Sequence, residues 1–104
     1  MYVHGVFKLV NAVSLIGRVV GEPELRMNRA GEEECRMRVA VPRRQRNGRP
    51  DAGVVYVEVS TFGDEARLCA ERLSEGSRIG LSGRLDDDPP EQGIGVLVDQ
   101  LDYL

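Results

Sequence analysis

Gly53-Val-Val-Tyr-Val-Glu-Val-Ser-Thr-Phe62 runs straight into Gly63-Asp-Glu-Ala-Arg-Leu-Cys-Ala-Glu-Arg-Leu-Ser-Glu-Gly76, and the hydrophobic period changes at the junction. In the first part Val55, Val57 and Val59 alternate with Tyr56, Glu58, Ser60 and Phe62, the period of two of a strand with one face in a core. Its other face mixes aromatic and polar groups, as a surface does that meets water and also receives a ligand. In the second part Ala66, Cys69, Ala70 and Leu73 recur at helical spacing. Asp64 is placed to cap this helix and Gly76 to stop it.

On either side of this junction the same alternation returns four more times. Asn11-Ala-Val-Ser-Leu-Ile-Gly-Arg-Val-Val20 sets Val13, Leu15 and Val19 against Ser14 and Arg18, with Gly17 suited to a bend or bulge and Gly21-Glu-Pro-Glu24 expected to break the strand. Met27-Asn-Arg-Ala-Gly31 reads as a hairpin turn. Residues 34–41 then place Cys35, Met37, Val39 and Val41 on one face and Arg36 and Arg38 on the other, until Pro42 ends the run. Arg43-Arg-Gln-Arg-Asn-Gly-Arg-Pro50 is a polar loop that no core could accept. Beyond the helix, residues 78–85 and 94–101 form two further strands around an acidic, proline-bearing loop at 86–93. Five strands with one short helix between the third and fourth predict an all-β chain, a five-stranded OB-fold barrel occupying residues 11–104.

Composition narrows the chemistry. A chain of 104 residues, 41% hydrophobic and 30% charged, suits one globular domain. No apolar run approaches the ~20 residues that cross a bilayer. The opening residues lack the layout of a secretory signal, so the expected location is the cytoplasm, associated with the nucleoid. Cys35 and Cys69 lie inside apolar patterns and read as small buried hydrophobes. With two cysteines and one histidine, His4, a structural metal site has too few ligands, and no cofactor is expected. Ser14, Ser60 and Ser82 have no His–Asp partnership, so a nucleophilic triad is excluded by inventory and no enzyme is expected. The net charge is -3, yet it is unevenly spread. Residues 1–50 carry ten Lys or Arg against five Asp or Glu, and residues 51–104 carry four against twelve. Such asymmetry suits a basic binding face on an acidic body.

The ordered set of short patterns resembles one family. Asn11-Ala-Val-Ser-Leu-Ile-Gly-Arg-Val-Val-Gly-Glu-Pro-Glu-Leu-Arg26, then Phe62-Gly-Asp-Glu-Ala66, Leu73-Ser-Glu-Gly-Ser-Arg-Ile79 and Ser82-Gly-Arg-Leu85 are similar, in this order, to the segments of bacterial single-stranded-DNA-binding proteins. The resemblance implies a homo-oligomer, dimer or tetramer, that binds single-stranded DNA without strong sequence preference in replication, recombination or repair. Bases would stack on aromatic rings and arginines would hold phosphates, with replication proteins as further partners. Carried over to this chain, Tyr56 and Phe62 are the stacking candidates. Arg43, Arg44, Arg46 and Arg49 form the basic loop, Arg36 and Arg38 extend it, and Arg18 lies in the opening motif.

The departures are as informative. There is no Trp, and the loops after Val41 and Leu85, which often carry aromatics in the family, read Pro42-Arg-Arg-Gln-Arg46 and Asp86-Asp-Asp-Pro-Pro90. Three consecutive carboxylates on the expected DNA path should repel phosphate, so either the path is shortened or the loop points away. The family's acidic C-terminal tail is not expected after the last strand. The thin aromatic set and the acidic loop favour an alternative, an OB domain serving as an interaction or accessory factor of a replication or conjugation assembly with little or no DNA affinity, and the arginine cluster disfavours it. Residues 1–10, with Tyr2, Val3, Val6, Phe7, Leu9 and Val10, form an apolar extension expected to add to a sheet edge in its own barrel or a neighbouring subunit. Deleting residues 2–8 is then expected to lower the mass measured by light scattering; an unchanged mass would refute that role.

Overall fold

Alternate valines make β3 (Val54–Phe62), and the helix α1 (Gly63–Arg72) follows it without a linker. The remaining elements are β1 (Val13–Met27), β2 (Glu33–Pro42), β4 (Arg78–Asp86), a single 3-10 turn at Pro90–Gln92, and β5 (Gly95–Tyr103). The computed structural model describes residues 9–45, 47 and 53–104. Residues 1–8, and with them most of the apolar extension, lie outside the described residues, as do Arg46 and Arg49.

The five strands close into a barrel in the order β1-β2-β3-β5-β4. All neighbours are antiparallel except β3 and β5, whose parallel contact is short, Val59 facing Val96 and Ser60 facing Leu97. This is the OB-fold, with α1 between the third and fourth strands. Val19, Cys35, Met37, Val39 and Val59, which the alternation selected, are buried; Ile79, Leu81, Val96 and Leu101 of β4 and β5 are buried with them, and Ala66, Cys69 and Leu73 of α1 join the same cluster. The helix thus plugs one end of the barrel with its apolar stripe. Burial pushes the Cys35 thiol up to about 11, with the neighbouring Cys69 and Glu34 adding to the shift, and burial likewise raises Cys69. Both are free thiols that pack as hydrophobes.

Four local expectations are corrected. First, Gly21-Glu-Pro-Glu24 does not break β1. The strand continues to Met27, pairing Glu24 with Arg36 and Met27 with Glu33, and the irregularity is a bulge between Val20 and Glu24. Pro23 cannot donate to a ladder, and a bulge is where a strand tolerates that. Second, Asp64 does not cap α1. Phe62 is the N-cap, without a side-chain cap bond, and Asp64 instead pairs with Arg67 one turn on. Third, the helix ends at Arg72, and Gly76 acts later, its N–H donating to the carbonyl of Val19 at 2.8 Å. Fourth, Val55 is not core. It stands opposite Val41 where β2 and β3 run past the barrel, so no packed layer covers it.

Two residues of the opening motif have structural work. Asn11 satisfies both backbone groups of Leu85: its Nδ2 donates to the carbonyl at 3.0 Å and its Oδ1 accepts from the N–H at 2.8 Å. The side chain thereby extends the β1–β4 ladder by one rung. Gly17 sits where a Cβ would lie 2.5 Å from the carbonyl oxygen of Ala40. Any side chain there would push β1 off β2 at the point where β1 changes neighbours.

Gly83 is more tightly held, since a Cβ would come within 2.0 Å of the Leu97 carbonyl oxygen at the β4–β5 bulge. Gly83→Ala is expected to lower stability by about 1–3 kcal/mol or more through overpacking. A urea midpoint at fixed protein concentration checks it, and an unshifted midpoint would show that the bulge relaxes freely.

Candidate nucleic-acid interface

The outward face of β2 and β3 is laid out by register. Glu34 stands opposite Phe62, Arg36 opposite Ser60, Arg38 opposite Glu58, and Ala40 opposite Tyr56. Two loops rise at the Phe62 end of this face. One is the β1–β2 hairpin, closed by Asn28, whose N–H donates to the Glu32 carbonyl at 2.8 Å while its Oδ1 accepts from the Glu32 N–H at 2.9 Å. The other is the acidic β4–β5 loop. Between them lies a cleft of about 650 Å³. In OB-folds, the face of strands 2 and 3 and the loops joining strands 1–2 and 4–5 are where oligonucleotides and oligosaccharides bind.

Glu34 organises the floor of the cleft. Its carboxylate is nearly buried, accepts from Ser60 Oγ at 3.0 Å and from Arg36 at 3.4 Å, and pairs with Arg26 at 3.9 Å. A buried charge needs such partners to offset its lost hydration. The result is two guanidinium groups, from β1 and β2, held at the cleft by one carboxylate. Arg29, on the hairpin, is the third arginine lining it.

Further along the face, Arg38 does two things. Its guanidinium lies 4.6 Å from the centroid of the Tyr56 ring, and its Nε is 3.8 Å from Glu58. Both partners are exposed, so the ion pair contributes about 0–1 kcal/mol. Tyr56 is 53% exposed and presents its remaining surface to solvent. Beyond it, Arg43 donates from its guanidinium to the Val54 carbonyl at 3.4 Å, and Arg44 is exposed.

Among the described residues, those singled out from sequence therefore fall into two groups, with Arg18 apart. Phe62 and Arg36 line the cleft. Tyr56, Arg38, Arg43 and Arg44 form a second group toward the opposite end of the β2–β3 face. Tyr56 and Phe62 are six residues apart on one strand, roughly 20 Å, so they are two separate stations rather than one sandwich. Arg18 belongs to neither group; it is exposed and donates to the Gly76 carbonyl at 3.2 Å, beside the loop that follows α1. Asp86 and Asp88 line the cleft, so the acidic loop does not point away from it.

Sequence reading missed Arg26, Arg29, Glu34 and Glu58. Arg26 stood at the end of the opening motif, but expecting the strand to break at Gly21 removed its alternation from view. For Glu34 the only signal was its place at the head of a buried alternation, where a carboxylate needs a reason.

With this geometry in place, the comparisons are consistent. The model of the family described as single-strand binding protein family matches residues 10–101. The "Single-stranded DNA-binding protein" of Thermosynechococcus vestitus is 31% identical over 103 residues, covering 91% of this chain and 82% of that one. "Single-stranded DNA-binding protein 1" of Nostoc sp. is 30% identical with 91% and 83% covered, and "Single-stranded DNA-binding protein B" of Bacillus subtilis is 30% identical with 89% and 84% covered. Fold and face together define an OB barrel with an open strand 2–3 surface. The chain belongs to the single-strand binding protein family.

Glu34→Ala is expected to cost about 1.5–3 kcal/mol, because it strips the acceptor from Arg36 and Ser60 at a buried position. Chemical denaturation reads this directly. A loss below about 0.5 kcal/mol would mean that the Glu34 cluster behaves as ordinary surface.

Proposed function

We propose that this protein binds single-stranded DNA with broad sequence tolerance on the β2–β3 face, as a non-enzymatic partner in replication, recombination or repair, acting where DNA is handled in the cytoplasm. The observation that carries the reading is the exposed Tyr56 ring under Arg38, continuous with Arg43 and Arg44 on one side and with the Phe62 cleft on the other, in a chain of this family. A base stacked on an aromatic side chain contributes about 1–3 kcal/mol whatever its identity. The arginines add phosphate contacts that weaken with salt.

The charge of the cleft orients the strand. Six carboxylates line it, those of Glu32, Glu34, Glu58, Asp86, Asp88 and Glu91, against three arginines. Phosphates are repelled from such a surface, so the backbone runs along the Arg38–Arg43–Arg44 side and bases turn inward. This shortens the path relative to a full wrap. The same excess of carboxylates favours the second reading, an OB domain that docks a protein partner. Recovery of that partner from nuclease-treated lysate, together with absence of oligonucleotide binding, would establish it.

Self-association is part of the proposal. Ile16 and Leu104 are 58% and 60% exposed on either side of Gly80, a small apolar spot bordered by Ser14, Ser82, Gln100 and Asp102 on the outside of the barrel that a second copy would cover.

Oligo-dT binding followed by fluorescence anisotropy tests the main reading. Binding is expected at ~50 mM salt, with Tyr56→Ala weakening it by about 1–3 kcal/mol. Replacing Arg43 and Arg44 by Ser is expected to flatten the log–log salt slope by about 0.7 for each phosphate that is no longer neutralised. No binding at the low salt concentration would reject DNA binding.

A further inference from the structure

Among the carboxylates of the β2–β3 face, Glu34 and Glu58 are in opposite situations. Glu34 is nearly buried and its oxygens are taken by Ser60, Arg36 and Arg26. Glu58 has a half-exposed side chain, lies two residues from Tyr56 on the same face, and meets Arg38 through Oε2 at 3.8 Å. Two residues along a strand span about 7 Å. That is the reach of a single pyrimidine from a ring it stacks on to a neighbouring side chain. Arg38 spans the same pair, lying over the Tyr56 ring while touching Glu58.

We propose that Glu58 is a specificity-determining residue of this face, one that favours bases carrying an exocyclic amine over thymine. The inference rests on the DNA-binding reading above and deepens it. A carboxylate is acceptor-only when ionised. Cytosine presents an N4 amine donor to it, which is the standard pairing of acidic side chains with bases. Thymine presents O4 at the same place, and two acceptors facing each other repel. A base stacked beside Tyr56 and Arg38 has its edge next to Glu58, so the stacking stays sequence-tolerant while the edge contact is selective. The inward turn of the bases, imposed by the acidic cleft, brings their edges rather than phosphates to this carboxylate.

The competing explanation is that Glu58 only neutralises Arg38, and the two explanations differ in what Glu58→Gln does. Anisotropy titrations with oligo-dC and oligo-dT of equal length, near neutral pH and at ~50 mM salt, separate them. Wild type is expected to bind oligo-dC about three- to tenfold more tightly than oligo-dT, a fraction of what a full bidentate base contact provides. Glu58→Gln, whose amide can both donate and accept, is expected to bring the ratio to about one. Equal affinities in wild type, or a preference that survives in Glu58→Gln, would overturn the proposal. Equal tightening toward both oligonucleotides in the variant would also overturn it, since that is the signature of a released Arg38. If neither oligonucleotide binds wild type, the DNA-binding reading itself fails, a result distinct from binding without preference.

Discussion

The barrel depends on one strand serving two neighbours. β1 pairs with β4 from Val13 to Arg18 and with β2 from Arg18 to Met27, so the ladder must hand over in mid-strand without leaving buried backbone groups unpaired. The opening motif supplies what this requires. Asn11 adds a side-chain rung at one end, and Gly17 lets β2 approach at the crossing. Past the crossing, the loop after α1 takes up the groups that β4 has left. Val19 N–H donates to the Ser77 carbonyl, Gly76 N–H to the Val19 carbonyl, and Gly21 N–H to Glu75 Oε1. Arg18, which reaches the Gly76 carbonyl, belongs to the same seam.

This seam links the end of the barrel plugged by α1 to the end that carries the cleft. Because α1 and its following loop hold the middle of β1, the far half of that strand is free to bulge and lean out over β2. It carries Arg26 and the 27–32 hairpin to the edge of the cleft. Without the bulge at Val20 to Glu24, the strand would end where its proline stands, and Arg26 would not meet Glu34. The cleft is therefore a consequence of how the barrel closes, not an addition to it.

Charge on the β2–β3 face and its cleft is arranged in opposed groups. Arg26 and Arg36 share Glu34, Arg38 touches Glu58, and Asp86 and Asp88 stand across the cleft. For a polyanion this lowers the attraction that the arginine count suggests, and it distinguishes positions by function. Arg38, whose carboxylate partner is exposed, keeps a solvent-facing charge, while Arg26 and Arg36 are oriented by a single shared carboxylate, Glu34. Under the proposed DNA binding, a surface of this kind would rely more on stacking and base-edge contacts than a uniformly basic groove does.

Much of the fold was legible in the sequence because alternation is a local property: the inward residues of β2 and β4 are named by their neighbours two places away, whereas in β5 the bulge at Asp99 puts the buried Val96 and Leu101 on opposite parity. The ordered family patterns added the connection between strands. Local pattern failed where tertiary pairing overrode it, at Pro23, where β2 supplies partners that keep the chain extended, and at Val55, where the barrel ends before the strand does. Tyr56, Phe62, Arg36 and Arg38 could be placed on one face from parity alone. That Glu34 holds Arg26 and Arg36, that Arg38 covers Tyr56, and that residues 86–93 face the hairpin at 27–32 could not. Such contacts join residues on different strands, and their distances are set by register and barrel closure. Which side chains face outward is written in the order of residues along each strand; which of them meet follows from the closed barrel alone.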